Sequence, residues 1–434
     1  MPSSPSKPVS RTTLPNGLRV VVAEDHAVPV AAIGLWVDAG ACDEPADRRG
    51  IAHFLEHMMF RGSEHVGPEE HAQQIARHGG DCNAATAPDF TVYHETVPAE
   101  AVEEALRLEA DRFLRLTPTA EHTDIERRVI LEELHVYENQ PAVRALLAIQ
   151  KAVAGGHPYA LPALGRREDI EALSAGDLAA FHHRCYRPDR TALVVCGDVT
   201  QAQVEDMAHR HFGGWTADGD GGEPSRPPFE TRVGELSLRL SLEVPIVAQV
   251  HRAPPLGEVD KPAVDLLVAL LSWGQSSPLQ ETLVRRRRLC VAAGAMPMLL
   301  ACGGAVVLFG AFLPPGRHRV RREVMRELAD GLAARGPDPE RFEQHLKRFR
   351  KRRASEHYSP DARMRGLGHA ELLEGGFERY ERGLDELAEV TPERVREAAA
   401  RLFAPENTLE LDVTPERVRW WMVPVGLFLR IWPR

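Results

Sequence analysis

The chain reads as a mixed helix-and-strand protein folded in two similar halves. Three observations point there. Its 434 residues are more than one ordinary hydrophobic core organises, and suggest two to four domains of common size. The order of apolar runs and helical patterns in the first 215 residues recurs after residue 230, although no residue-level repeat is visible. Between the two lies Asp-Gly-Asp-Gly-Gly-Glu-Pro-Ser-Arg-Pro-Pro, acid-rich and without periodicity, as a linker should be. The expected division is 1–215, a linker at 216–229, and 230–434.

Composition narrows the function classes. With 43% hydrophobic and 27% charged residues, the chain has the balance of a soluble globular protein. Its net charge of -10 argues against nucleic-acid binding, which needs clustered excess Lys and Arg to meet phosphate. The run Arg285 to Arg288 reads as a solvated helix face rather than a polyanion site. Cys42, Cys82, Cys185, Cys196, Cys290 and Cys302 are scattered with no C-x-x-C spacing, and read as reduced residues of an intracellular protein. Residues 1–8 lack the apolar core of a secretory leader and read as a disordered lead-in, so the expected location is the cytoplasm.

In chain order, an Asn16-Gly17 turn leads into a strand at 19–23, and a second apolar run follows at 30–37. The two are expected as a hairpin or as neighbours in one sheet. A loop from Gly40 to Gly50 then delivers the segment Asp47 to Gly62, a short helix with two chemically opposite faces. Ile51, Phe54, Leu55, Met58 and Met59 form the core stripe, and His53, Glu56 and His57 fall on the other side. Histidines at i and i+4 stand one above the other, so both imidazoles reach a single ion, with the carboxylate beside them. This is H-x-x-E-H, the reverse of the zinc motif H-E-x-x-H. It requires a third ligand.

A polar helix is expected at 69–78, followed by Gly79-Gly80-Asp81-Cys82-Asn83-Ala84-Ala85-Thr86 and the alternating Thr91, Tyr93 and Glu95. The pattern fits an exposed edge strand able to pair with an extended peptide, and fits an ordinary hairpin equally well. Amphipathic helices follow at 100–116 and 123–138. In the second, Glu126 and Glu133 are two turns apart and point within roughly 20° of each other. Val129, Ile130 and Tyr137 lie along their stripe, so both carboxylates are expected to face the interior, where a cation would have to meet them.

A loop at Gly156-His157-Pro158-Tyr159, a helix at 174–184, a buried strand at 190–199 and a helix at 200–211 complete the first half. The second half is read as strands at 236–243 and 246–252, an apolar helix at 260–272 and a polar one at 278–288. Strands near 290–298 and 304–312 and helices at 316–335 and 339–356 follow. The aromatic stretch 420–434 is too short and too interrupted by Pro and Arg to span a bilayer. It reads as a terminal strand or docked tail, and its composition also permits a membrane-surface or partner contact.

These landmarks together carry a resemblance. His53-x-x-Glu56-His57 with a helical Glu133, the opening Leu14-Pro15-Asn16-Gly17-Leu18, Gly79-Gly80-x-x-Asn83-Ala84-x-Thr86, Gly156-His157-Pro158-Tyr159 and Tyr186-Arg187-Pro188 resemble the pitrilysin and insulin-degrading enzyme family of inverted-zinc peptidases. The chain's size is similar to the branch typified by mitochondrial processing peptidase and its bacterial relatives, which makes a bacterial origin the expectation. The resemblance implies two homologous α+β domains, each a mostly antiparallel sheet covered by helices, enclosing a chamber that favours short or unfolded peptides. It implies Zn2+ held by His53, His57 and Glu133 with water in the fourth position, Glu56 as general base, and Glu126 orienting a ligand from behind. Asn83 and Ala84 would present the edge strand to substrate.

One segment departs from the family pattern. Where the resemblance implies L-R-x-x-x-x-L-x-Y, this chain reads Leu283-Val284-Arg285-Arg286-Arg287-Arg288-Leu289-Cys290-Val291, so the substrate-contacting Arg and Tyr positions fall on Val284 and Val291. Arg285 lies one position away, and nothing replaces the phenol. Two-chain relatives divide the zinc motif and the Arg/Tyr pair between subunits, so a homologous partner carrying that pair is expected. The alternatives are a non-catalytic structural subunit of a larger complex and a homodimer acting alone.

Overall fold

The computed structural model describes residues 9–216, 226–314 and 316–417. The lead-in at 1–8, residues 217–225 of the expected linker and the aromatic tail at 420–434 lie outside the described residues. Packing divides the chain into two units, and each is discontinuous in sequence. The first comprises Met1–Val136, Leu161–Arg226 and Ala354–Arg382, and the second Tyr137–Ala160, Pro227–Arg353 and Gly383–Arg434. The division read from sequence is contiguous, whereas packing exchanges two segments.

In the first unit, β1 (Val9–Thr13), β2 (Arg19–Glu24), β3 (Val30–Val37), β4 (Asp81–Thr86), β5 (Thr91–Pro98) and β6 (Thr191–Gly197) form one sheet in the order β1-β2-β6-β3-β5-β4. All pairs are antiparallel except β2 with β6. β2 and β3 therefore share a sheet but are not a hairpin, because β6 lies between them. Every residue of β6 is buried, as its unbroken apolar run demands. β4 is both a hairpin partner of β5 and the sheet edge, and its burial alternates residue by residue.

Helices α1 (Ile51–Met58), α2 (Glu70–Arg77), α3 (Val102–Arg115) and α4 (Ala120–Glu138) follow in this half. Phe54, Leu55 and Met58 of α1 and Leu106 and Phe113 of α3 join Val20, Val22, Ile33 and Leu35 in one core. On the opposite face, Val21, Ala32, Trp36 and Val194 are covered by Met364, Leu367 and Ala370 of the helix Pro360–Leu373. That helix comes close because two glycines face the contact. A Cβ on Gly368 would stand 2.1 Å from Trp36 Nε1, and one on Gly34 2.3 Å from Met364 Sδ. Covering Met364 and Leu367 completely is worth about 1.5–3 kcal/mol each, which explains why a segment from the last hundred residues belongs to the first unit.

The second unit holds β7 (Gly234–Leu240), β8 (Ile246–Ala253), β9 (Ala292–Leu300), β10 (Gly303–Ala311) and β11 (Thr408–Pro415) in the order β7-β11-β8-β10-β9. Its one parallel pair is β7 with β11. This is the winding of β2-β6-β3-β5-β4, strand for strand, and both units are α+β. The helix Lys261–Ser272 takes the place of α1 between second and third strands, and Leu266, Leu267, Leu270 and Leu271 in it are buried. The polar helix read at 278–288 is a π-helical turn, Gln280–Arg286. Arg286 pairs with Glu281 at 2.8 Å and Arg287 with Glu327 at 3.1 Å, so the arginine run is a solvated, paired face. No helix among the described residues is long and apolar enough to cross a membrane.

Candidate metal centre

The conformation of α1 is set at its start. Gly50 has φ 96°, a left-handed geometry that costs glycine little. The buried carboxylate of Glu44 then accepts from the backbone N–H of Gly50 at 2.9 Å and of Ala52 at 3.0 Å, satisfying donors that a helix start otherwise leaves open. Burial pushes the Glu44 carboxyl up to about 8, against the pull of those two donors and of Arg49. With Ile51, Phe54, Leu55 and Met58 committed to the core, His53, Glu56 and His57 emerge half-buried on the outer face.

α4 supplies the opposing carboxylates, and they differ. Glu126 is buried, whereas the side chain of Glu133 is 47% exposed. The expectation that both face protein interior is therefore corrected. Only Thr123, Glu126, Ile130 and Leu134 of α4 are buried, a stripe one residue wide, and Val129 at 45% exposure lies outside it.

Glu133 nevertheless reaches the histidine pair. Its Oε2 is 3.9 Å from His53 Nε2 and 3.6 Å from His57 Nε2, and one donor atom from each residue lies within 4.8 Å of the others. Tetrahedral zinc with bonds of about 2.0–2.2 Å holds neighbouring ligand atoms about 3.3–3.5 Å apart, and both distances from Glu133 come within a few tenths of an ångström of that spacing. The protonation pattern also fits. His57 Nδ1 donates to Glu126 Oε2 at 2.9 Å, which leaves the Nε2 lone pair facing His53 and Glu133. Burial, with neighbouring His57, pushes His53 down to about 3, so its lone pair is free at neutral pH. Burial alone would lower His57, but the bond to Glu126 and that carboxylate's charge raise it overall. Two imidazoles and a carboxylate are the donor set of a zinc site that keeps its fourth position for water.

Glu56 stands beside this set and outside it. Burial raises its carboxyl, while the Thr86 hydroxyl, donating to Oε2 at 2.5 Å, pulls it back toward the ionised form. Asn83 is exposed on β4 and accepts from the Ala84 N–H at 2.8 Å, while Ala84 is partly buried against the core. Sequence reading left four neighbours without a role: Glu44, Thr86, Arg61 and Glu69. Arg61 donates from Nε to Glu126 Oε1 at 2.5 Å and from Nη1 to Glu69 Oε1 at 2.6 Å. Its position two residues after the core stripe was the only available signal.

A second group able to surround an ion, His71, Glu95 and Glu109, lies fully buried between α2, β5 and α3. Arg112 already supplies the cation there. It donates to Glu109 Oε2 at 2.8 Å and lies 4.7 Å from the ring centroids of both Phe60 and Tyr93. Burial pushes Glu95 and Glu109 up to about 7 and His71 down to about 3.

In the second unit, the helix occupying the place of α1 carries no histidine, and Val291, at the position that the resemblance gives to tyrosine, is 46% exposed. Two family profiles match the chain in succession. Residues 19–166 match the Insulinase (Peptidase family M16) profile, and residues 172–349 match the Peptidase M16 inactive domain. An uncharacterized zinc protease of Mycobacterium leprae is 31% identical over 400 residues, covering 91% of this chain and 89% of the relative. The beta subunit of mitochondrial-processing peptidase from Blastocladiella emersonii is 31% identical over 202 residues, 46% of this chain and 43% of that one. The crystal structure of a protease from Helicobacter pylori superposes with a TM-score of 0.86 at 22% identity, covering 94% of this chain and 100% of that chain. With both profiles matched in order and a relative similar over nearly its whole length, the chain belongs to peptidase family M16.

Proposed function

We propose that the protein is a zinc-dependent endopeptidase that cleaves short or unfolded peptides and acts as the catalytic subunit of a two-chain peptidase. The observation that carries this reading is the convergence of His53 Nε2, His57 Nε2 and Glu133 Oε2 beside a half-buried Glu56 that stands outside the set. His53, His57 and Glu133 would hold the ion, which when bound supplies polarisation of the scissile carbonyl and acidification of water. Glu56 takes the proton of the attacking water and delivers it to the leaving amine, a role its raised pKa suits. Thr86 keeps the Glu56 carboxylate turned toward the site. Glu126 fixes the tautomer of His57. The outer edge of β4, around Asn83 and Ala84, would receive the peptide as an added strand.

The two-chain reading rests on Val284 and Val291 and on the naming of one relative as a subunit. A homologous partner bearing Arg and Tyr at these positions would complete substrate contact. The test is zinc content together with cleavage of a quenched peptide library, on the purified chain alone and then with such a homologue. One zinc per chain and cleavage only on mixing supports the whole proposal. One zinc with full cleavage alone removes the partner from it. No zinc and no cleavage in either arm leaves a non-catalytic structural subunit.

A further inference from the structure

Glu126 is a buried carboxylate with two oxygens and two hydrogen-bonded partners among the described residues. Oε2 accepts from His57 Nδ1 at 2.9 Å, and Oε1 accepts from Arg61 Nε at 2.5 Å. A second guanidinium nitrogen, Nη2, also contacts Oε1. Both nitrogens meet the same oxygen, so Arg61 anchors Oε1 while His57 holds Oε2, and the two partners together set the plane of the carboxylate. Arg61 is itself restrained from its far side, where Nη1 donates to Glu69 Oε1 at 2.6 Å.

Glu69 is unusual in its backbone. It is one of two described non-glycine residues with positive φ, at 63°, and its N–H is bonded to the Phe60 carbonyl at 3.0 Å. A side-chain-bearing residue is held in this sparsely populated region only where surrounding structure over-determines it. Here the strained residue is the one whose carboxylate steadies the guanidinium. Glu69, Arg61, Glu126 and His57 form one continuous line of hydrogen bonds from the protein surface to the histidine pair.

We propose that Arg61 is a positioning residue of the metal centre. It locks the carboxylate of Glu126 in the orientation that receives the Nδ1 proton of His57, and so aims the His57 Nε2 lone pair at the point faced by His53 and Glu133. This rests on the zinc reading above. Without Arg61, the Glu126 carboxylate is free to rotate, and the imidazole of His57 loses the support that fixes its ring. Partners behind metal ligands contribute about 10–100-fold in metal affinity. That is the size expected for Arg61.

The experiment is equilibrium competition for zinc against a chromophoric chelator, using the full chain as wild type, Arg61→Met and Arg61→Lys. Thermal unfolding of the metal-free proteins and the absorption bands of the cobalt(II)-loaded forms accompany it. The expected result is wild type binding one zinc, and Arg61→Met binding it 10–100-fold more weakly with altered cobalt bands and unchanged metal-free unfolding. Arg61→Lys, which keeps one charged donor, should recover part of the affinity. Zinc affinity of Arg61→Met within twofold of wild type overturns the proposal. So does a loss of affinity that merely tracks a loss of metal-free stability, with unaltered cobalt bands and no recovery in Arg61→Lys. Absence of zinc binding by the wild type is a different failure: it removes the metal-centre reading itself, and this inference with it.

Discussion

Thr86 on the edge strand β4 donates its hydroxyl to Oε2 of Glu56 on α1 at 2.5 Å, joining the rim of the sheet to the carboxylate proposed as base. Burial already raises the Glu56 carboxyl, and the Thr86 bond opposes that rise by favouring the ionised form. Thr86→Val removes the opposition. Catalysis by an ionised Glu56 is lost as pH falls through its pKa, so the acid limb of the kcat/KM profile should move to higher pH. Loss of one hydrogen bond to a charged group, about 1.5 kcal/mol, corresponds to roughly one pH unit. An unmoved limb would disconnect Glu56 from the profile.

Glu56→Gln should separate binding from chemistry. The amide preserves shape and the ligand set is untouched, so zinc stoichiometry by atomic absorption stays at the wild-type value. Peptide turnover should fall by about 10²–10⁴-fold, the range lost with a general base. Turnover at the wild-type rate would assign the proton transfer elsewhere.

Glu44 makes stability depend on pH in a predictable sense. Its carboxyl rises from 4.5 to about 8 on burial, so over that interval the folded chain retains a proton that the unfolded chain releases. Stability from this group is fully present below 4.5 and is lost as pH rises through about 8. Glu44→Gln carries no titrating proton, so the unfolding midpoint of wild type relative to this variant should decline across the interval, by about 1.4 kcal/mol per unit of retained shift. A difference that stays flat or grows with pH would show that the two helix donors keep Glu44 ionised.

The contact between Trp36 and Gly368 should be intolerant of one methyl group. A Cβ at Gly368 would meet the indole of the buried Trp36 at 2.1 Å. Gly368→Ala should cost about 1–3 kcal/mol as overpacking. Met364→Ala, which empties the adjoining site, should cost about 2–5 kcal/mol. Denaturant unfolding followed by tryptophan emission measures both.

The site was legible where local periodicity and chemistry agreed. α1 announces itself because five apolar residues and three polar ones divide at helical spacing, and the structure buries the former and presents the latter. α4 was harder, because Val129, one of the apolar residues along the stripe of Glu126 and Glu133, is exposed at 45% and misdirected the reading of Glu133. Helices Pro360–Leu373, Glu378–Ala388 and Pro392–Leu402 and strand β11 were not read at all. Pro360–Leu373 is covered on several sides, with buried Arg363 and Glu371 among its apolar residues, so no single stripe stands out. Nor does local pattern reveal that β6, more than 150 residues after β3, inserts beside it. Arg61 escaped notice because its partner, Glu126, is 65 residues away.

The exchanged segments make the two halves inseparable by a cut at the obvious place. A protease that opened the chain between residues 217 and 225 would leave one fragment ending within the first unit and another carrying Ala354–Arg382, which that unit needs to cover Trp36 and Ala32. The amino-terminal fragment would likewise retain Tyr137–Ala160, part of the second unit. Each piece thus holds a component of its neighbour's interior, and the nicked protein should migrate as a single species until denatured. Splitting the gene at the linker would yield two polypeptides that must find each other before either is whole.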